Sequence, residues 1–363
     1  MTRICFFSGD ITRSGGTERV STQLANLLSN EEGYDTCFMS LTEKNEKPFY
    51  FISPTIHRYH LSKKWINPGP GYIPLIGKLR TFLKEHEIDI IIDIDIVLDV
   101  LSIPASKGLK TKVVSWEHFT ADFEHSVFYR KMILKYSVKR SDYVVVLTDG
   151  DLKDYQAMLK RKQNITRIYN LIADEFRKPI EQKRENIILT VGRLVPEKGI
   201  AYLEQVAVKL LNQYPEWTWI ILGEGPERNR LETCIQKNHF EHQLKLMGNV
   251  NNVVDYLKRA SIFVVTSKYE GLGMNLLEAR SMQVPCVSFD VKMGPREIIH
   301  NNVDGYLIPS FDCDEMAEKI KVLMEHPEIR EQFSQRALLS MNEFETDHIV
   351  KQWKKILNGL SEE

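Results

Sequence analysis

Short apolar, β-branched runs alternate along this chain with longer stretches of helical periodicity, and the alternation predicts strand after strand followed by helix. Residues 3–8 (Arg3-Ile4-Cys5-Phe6-Phe7-Ser8) read as an opening strand, and an amphipathic helix follows through Leu28. Further strands are expected at Lys112-Val113-Val114-Ser115-Trp116, at Tyr143-Val144-Val145-Val146-Leu147-Thr148 and at Ile187-Ile188-Leu189-Thr190-Val191. Others are expected at residues 219–222, 244–247 and 262–266, the last followed by a helix over residues 274–282. Strands of this kind, apolar on both faces, belong in parallel sheets covered by helices, so the fold class is α/β. Residues 347–360, with Trp353, form a closing helix.

The chain has 363 residues, enough for two ordinary cores. A polar run over residues 175–185 separates them. The expected domains are 1–169, with the closing helix 346–363 packed back on it, and 170–345. Forty-eight Lys and Arg against 49 Asp and Glu give a net charge of −1, which argues against nucleic acid as a partner. The five cysteines, Cys5, Cys37, Cys234, Cys286 and Cys313, show no C-x-x-C and no zinc spacing, so they are expected to be reduced core residues of a cytoplasmic protein. No secretory signal and no transmembrane stretch is expected.

The chemistry concentrates at strand ends. Glu270-Gly271-Leu272-Gly273-Met274-Asn275-Leu276-Leu277-Glu278 places two carboxylates across a glycine turn that opens a helix. Such a turn offers unpaired N–H groups to an anion and carboxylates to sugar hydroxyls. Read alone, Glu270 and Glu278 are also compatible with ordinary helix-rim charges. Gly192-Arg193 and Pro196-Glu197-Lys198-Gly199 bring a rigid guanidinium fork and a mobile ammonium to the end of one strand. Gly15-Gly16 lies between the first strand and helix, but no G-x-G-x-x-G is present, which disfavours a dinucleotide-dependent dehydrogenase. Asp93-Ile94-Asp95 has the form of a metal-gripping D-x-D; within an alternating run over residues 90–97 it predicts instead two aspartates on one face and a polar strand-end contact, with no metal required.

The block from Glu270-Gly271 through Glu278-Ala279, Val284-Pro285, Gly294-Pro295-Arg296-Glu297 and Asp304-Gly305, together with Gly192-Arg193 and Lys198-Gly199, resembles the retaining glycosyltransferases of family 4, of the bacterial surface-polysaccharide type. The resemblance covers nearly the whole chain. It implies a GT-B fold, two Rossmann-like domains facing across a deep cleft whose closure limits donor hydrolysis. It also implies transfer, with retention, of a hexose or N-acetylhexosamine from a nucleotide sugar, expected to be UDP-linked, to a glycan or lipid-linked acceptor. By resemblance the catalytic set is Glu270, His118, Arg193 and Lys198. The donor-binding set is Gly15, Gly16, Gly248, Asn249, Val250, Gly271, Leu272, Gly273, Met274, Asn275, Leu276 and Glu278, with Glu278 on the ribose and the Gly248 turn at the base. Glu117 is left as an acceptor contact.

Two other classes stay open: a GT-B sugar-nucleotide epimerase, and a catalytically silent binding or chaperone subunit. The Glu270 to Glu278 block disfavours the first, and the presence of Glu270, Arg193 and Lys198 disfavours the second. Residues 128–140, rich in cations and aromatics, read as an amphipathic helix that either covers apolar neighbours or meets anionic lipid, together with Lys63-Lys64-Trp65 and Pro68-Gly69-Pro70-Gly71-Tyr72. The expected location is therefore the cytoplasm, with peripheral attachment to the inner face of the plasma membrane left open.

Overall fold

The computed structural model describes all residues except 65, 67, 68, 70, 119–127, 159–163, 178–183 and 363, and nothing is described of the Phe128 side chain. Trp65, Pro68 and Pro70 of the cationic loop, and part of the charged run over residues 175–185, lie outside the described residues. The chain divides into two compact units, residues 1–171 with 344–363, and residues 172–343.

The first unit is a seven-stranded parallel sheet in the order β3-β2-β1-β4-β5-β6-β7. Its strands are β1 (Thr2–Ser8), β2 (Tyr34–Thr42), β3 (His57–Ser62), β4 (Ile90–Ile94), β5 (Lys112–Trp116), β6 (Tyr143–Val146) and β7 (Ile165–Arg167). The helices are α1 (Gly16–Ser29), α2 (Tyr72–Glu85), α3 (Asp99–Ser106), α4 (Phe128–Arg140) and α5 (Asp149–Met158). Alternate strand residues explain the layers. Cys5, Phe7, Met39 and Ile91 pack with Leu75 and Leu79 of α2 and Leu101 of α3. The last helix of the chain, Thr346–Glu362, belongs to this unit, and its Trp353 meets Trp116 edge-on at 4.8 Å.

The second unit repeats the plan with six parallel strands in the order β10-β9-β8-β11-β12-β13. They are β8 (Ile187–Val191), β9 (Thr218–Leu222), β10 (Leu244–Gly248), β11 (Ile262–Val265), β12 (Cys286–Phe289) and β13 (Gly305–Ile308). The helices are α6 (Ile200–Leu211), α7 (Arg228–Asn238), α8 (Val253–Arg259), α9 (Met274–Ser281), α10 (Pro295–Ile298), α11 (Cys313–Glu325) and α12 (Pro327–Leu339). The final helix of the chain, in the first unit, is α13.

In both sheets the strand order runs outward in two directions from the first strand, so each has a switch point where neighbouring loops diverge and leave a crevice at the carboxyl ends. It falls between β1 and β4 in the first unit and between β8 and β11 in the second. All five cysteines carry free thiols. No helix among the described residues is long and apolar enough to cross a membrane.

Candidate functional site

The strand β8 ends at Val191, and the turn after it carries Gly192, the exposed Arg193 and then Lys198. The strand β11 ends at Val265, and the segment after it carries Glu270. These are the two strands that flank the switch point of the second unit, so residues 72 positions apart meet there: Lys198 Nζ lies 2.7 Å from Glu270 Oε1. Both are partly shielded, which strengthens the pairing relative to a surface ion pair.

Backbone bonds hold the two segments in register. Lys268 N–H donates to Glu197 O at 2.8 Å, and Thr266 Oγ1 donates to Lys198 O at 3.0 Å. Approach this close requires a glycine: a Cβ on Gly199, whose φ is +66°, would lie 1.8 Å from Thr266 O. On the other side of β8 the same device recurs, because a Cβ on Gly223 would lie 1.9 Å from Gly192 O, and Gly223 N–H bonds Gly248 O at 2.8 Å. The turns after β8, β9 and β10 are thereby stacked backbone on backbone, which gives the Gly248 turn its place beside the β8 end, with Asn249 exposed and Val250 half-buried.

Behind Glu270 sits the Gly294 turn, where a Cβ would lie 2.8 Å from both Gly271 O and Leu272 O. Gly273, at φ +88°, is the N-cap of α9. The amides of Met274 and Asn275 are the ones such a helix start leaves without an intrahelical partner, and Glu278 is buried one turn further along.

Several expectations need correction. Leu272 and Leu276 are core side chains, 2% and 1% exposed, and the Leu276 amide already donates to Gly273 O at 3.0 Å. Neither residue is free to grip a donor through its side chain, and Leu276 is spent at the amide as well, because α9 must bury its apolar face to stay on the sheet. The Asn275 side chain turns inward, donating from Nδ2 to Val191 O at 2.8 Å, and so ties the first turn of α9 to the end of β8. Glu278 is 2% exposed, which removes the reading of a solvent-face charge.

A buried network behind α9 was not anticipated. Arg280 and Asp304, 2% and 1% exposed, form a two-pronged ion pair with one contact of 2.6 Å. Ser340 joins at Arg280, and His300 donates its backbone N–H to Asp304 at 2.8 Å. Although burial opposes it, the Arg280 guanidinium holds the Asp304 carboxyl below its usual range. The sequence signal was the Asp304-Gly305 pair itself; its partner on α9, 24 positions earlier, was invisible.

In the first unit the polar residues at the sheet's carboxyl edge are mostly satisfied by one another. Glu18, at the third position of α1, folds its carboxylate back over the N-cap Gly15, where a Cβ would lie 2.1 Å from Glu18 Oε2. Thr17 donates to the same carboxylate at 2.8 Å, and Arg13 approaches it at 3.7 Å. Gly16 is exposed with nothing near its Cβ position. The strand β4 ends at Ile94, three residues short of the alternating run over residues 90–97, so Asp93 and Asp95 part. Asp95 takes φ +120°, accepts from Val97 N–H at 3.1 Å and pairs with Arg130 at 3.1 Å. Asp93 is fully buried, bonded by the Ser102 hydroxyl, which excludes the expected strand-end contact to a ligand. Beside it Asp99 accepts from Ser115, and burial pushes Asp99 up to about 6. Glu117 is 1% exposed and accepts from the Tyr155 hydroxyl at 3.2 Å, so it faces the core rather than an acceptor.

Not every buried atom there is answered: Asp93 Oδ1, Asp99 Oδ1, Trp116 Nε1 and His118 Nε2 lack a hydrogen-bond partner among the described residues. The His118 ring lies 4.7 Å from that of Trp116, its Nε2 is shielded from solvent with no hydrogen-bond partner among the described residues, and burial pulls its pKa down to about 3. The buried imidazole is therefore uncharged at neutral pH.

Residues 172–339 match the family model of glycosyl transferases group 1, and residues 14–176 match Glycosyltransferase Family 4. The chain is 29% identical to an uncharacterized glycosyltransferase of Haemophilus influenzae, over 98% of this chain and 100% of that one. It is 26% identical to the amylovoran biosynthesis glycosyltransferase AmsD of Erwinia amylovora, over 99% and 100%. It is 24% identical to a Campylobacter jejuni α-1,4-N-acetyl-D-galactosaminyltransferase whose name gives a glycan on diphospho-undecaprenol as its acceptor, over 98% of both chains. Among solved structures, Anabaena HepE in complex with UDP and glucose superposes with a TM-score of 0.81 at 17% identity, over 98% of this chain and 99% of that one.

Proposed function

Because the chain belongs to the group 1 and family 4 glycosyltransferases and has their GT-B pair of Rossmann-like domains, we propose that it moves a hexose or N-acetylhexosamine from a UDP-sugar, with retention, onto a glycan or lipid-linked glycan in bacterial polysaccharide synthesis. The observation that carries the reading is the Lys198–Glu270 ion pair, seated at the two strand ends of a switch point beside the first turn of α9. UDP in the HepE complex supports the choice of nucleotide, and the acceptor named for the Campylobacter relative supports a lipid-linked glycan.

Breaking the bond between the anomeric carbon and the diphosphate oxygen builds positive charge on the sugar and negative charge on the leaving group. Arg193, Lys198 and the amides of Met274 and Asn275 are the groups proposed to stabilise that leaving charge. Neutralisation by these groups leaves no role that demands a divalent cation, and a chelator is expected to leave turnover unchanged. Glu270 holds ring hydroxyls and faces the developing oxocarbenium charge. With no donor bound, Lys198 and Glu270 satisfy one another; a diphosphate competes for Lys198 and frees the Glu270 carboxylate for the sugar. The acceptor hydroxyl forms the new bond on the face the diphosphate leaves, and its proton passes to a departing phosphate oxygen. Glu278 is proposed for the ribose, the Gly248 turn for the base, and the neutral His118 imidazole for a substrate hydroxyl.

The test is UDP release from a panel of UDP-sugars, with and without acceptor glycans, for the wild-type chain, Glu270→Ala and Lys198→Ala. Release from one donor that both substitutions abolish supports the reading. Release of a free sugar epimer, or tight UDP binding with no turnover on any donor and acceptor pair, overturns it in favour of an isomerase or a silent subunit.

A further inference from the structure

The strands β1 and β2 run side by side in parallel, and their register sets Cys5 opposite Cys37. Partners in such a ladder point to the same face of the sheet. Both cysteines lie on the face covered by α2 and α3. Cys5 is fully buried in the cluster that holds Leu75, Leu79 and Leu101, and Cys37 packs against that cluster while keeping part of its surface. Burial raises the Cys5 pKa most, and the Cys37 thiol beside it raises it further. The other three cysteines belong to the second unit and have their own neighbours: the Cys234 sulfur accepts from Asn238, and the Cys286 and Cys313 thiols donate to Val284 O and Tyr202 O.

Adjacent strands stand about 4.8 Å apart, which lies inside the range of about 4.4–6.8 Å over which a disulfide spans two Cα atoms. Facing Cβ atoms keep roughly the strand spacing, whereas a disulfide holds them about 3.8 Å apart. The strands must therefore draw together by about 1 Å to close the bond, and a bond closed under that tension is readily reduced again. At the amino-terminal edge of the sheet Cys37 lines a cavity of about 340 Å³ with Arg3, His57, Tyr59 and His86. A small oxidant reaches Cys37 there, whereas Cys5 has no exposed surface.

We propose that Cys5 and Cys37 are a site of reversible oxidation, joined as a disulfide with a peroxide as oxidant and released by a dithiol. The Cys37 sulfur takes an oxygen from the peroxide, whose O–O bond breaks, giving a sulfenic acid and one water. The Cys5 sulfur then attacks the Cys37 sulfur. The S–S bond forms, the S–O bond breaks, and the hydroxyl leaves with the Cys5 proton as a second water. Two thiols give up two electrons, and one peroxide becomes two waters. The raised pKa of Cys5 suits it to the second step, in which it gives its proton to the leaving hydroxyl, rather than to the first. The bond ties together two strands whose following loops already touch at the opposite edge, where Lys44 N–H donates to Asp10 at 3.3 Å. The site goes beyond the transferase reading, because its test uses no sugar donor and no turnover.

The experiment treats the native full chain with hydrogen peroxide, removes the excess with catalase, unfolds the chain and alkylates every remaining thiol before mass spectrometry. Loss of two of the five thiols is expected, with a tryptic product in which residues 4–13 are joined to residues 20–44, and dithiothreitol is expected to restore all five. Cys5→Ala is expected to abolish the cross-link and leave Cys37 as a sulfenic acid that dimedone labels. Cys37→Ser, at a partly exposed position, is expected to leave Cys5 unoxidised. Melting curves check that both variants fold, and the wild-type peptide map decides the outcome even where one does not. Five intact thiols after a peroxide dose that fully oxidises free cysteine, a cross-link to another cysteine or another copy of the chain, or oxidation of Cys37 past the sulfenic acid with Cys5 untouched overturns the proposal.

Discussion

The two units share a strand order and differ in what stands at the switch point. In the second unit the loops after β8, β9 and β11 are pinned to one another by glycines that have no room for a side chain, and they present a cation and a carboxylate that meet at the surface of the crevice. In the first, the polar groups near the corresponding edge are turned inward: Asp93, Asp99 and Glu117 are buried and bonded within the unit, and Glu18 covers the start of α1. One sheet edge brings two opposite charges together at its crevice, and the other encloses its carboxylates and a neutral imidazole within the unit. The contrast teaches that a shared topology supplies the crevice, while side-chain orientation in a handful of loop residues decides whether it handles charge.

The sharpest way to break the comparison is to remove the charge. Lys198→Ala and Glu270→Ala are each expected to lower kcat/KM for the donor by about a hundredfold to a thousandfold, the scale of a lost preorganised electrostatic group. Glu117→Gln, in the first unit, is expected to change it far less. Steady-state kinetics on the donor found by the panel checks both.

Next in size are the glycines. Gly199→Ala forces a Cβ against Thr266 O at a positive φ and is expected to cost about 3 kcal/mol, read as a lowered denaturation midpoint of the second unit. Gly16→Ala at the start of α1 meets no atom and is expected to stay within about 0.5 kcal/mol.

A smaller effect separates the units by pH. Asp99, raised to about 6, binds a proton in the folded state that the unfolded chain has released above its ordinary value near 3.8, so its contribution falls as pH rises from about 4 to 6. His118, lowered to about 3, is neutral when folded while the unfolded imidazole protonates below its ordinary 6.5, so its contribution is lost as pH falls through that window. The two slopes oppose one another between pH 4 and 6. Asp99→Asn is expected to make the first unit lose stability on acidification by up to about 1.4 kcal/mol per pH unit more steeply than wild type, and His118→Gln to shift the slope the other way. Denaturant titrations across that range check the signs.

The smallest expected effect is Asn275→Ala, which removes one bond to Val191 O. A loss of about 1 kcal/mol in stability and a rise in the donor's KM, with kcat little changed, would mark it as the residue that positions the first turn of α9.

Much of this was legible beforehand. Apolar runs such as Ile187-Ile188-Leu189 and Ile262-Phe263-Val264 can be buried on both faces only in a parallel sheet under helices, so the doubly wound α/β units follow from local pattern. Glycines at 248 and 273 marked tight turns, and both take a positive φ. The early end of β4 was not legible, because the apolar alternation continues to residue 97 while the backbone leaves the strand at Asp95, whose φ is +120°, and on that departure hung the parting of Asp93 from Asp95. Nor was the inward turn of Leu272 and Leu276, since a motif string does not say which of its members face the sheet.

By itself, then, the sequence determined the kinds of elements, their order and the residue types delivered to each strand end, because these depend on interactions within a few residues. Only the tertiary structure decided who meets whom: Lys198 with Glu270 across 72 positions, Arg280 with Asp304 behind α9, Glu117 with Tyr155 away from the crevice, and Cys5 with Cys37 across β1 and β2. Those pairings arise where strand order brings distant segments side by side, and that is not a property of any short stretch of chain.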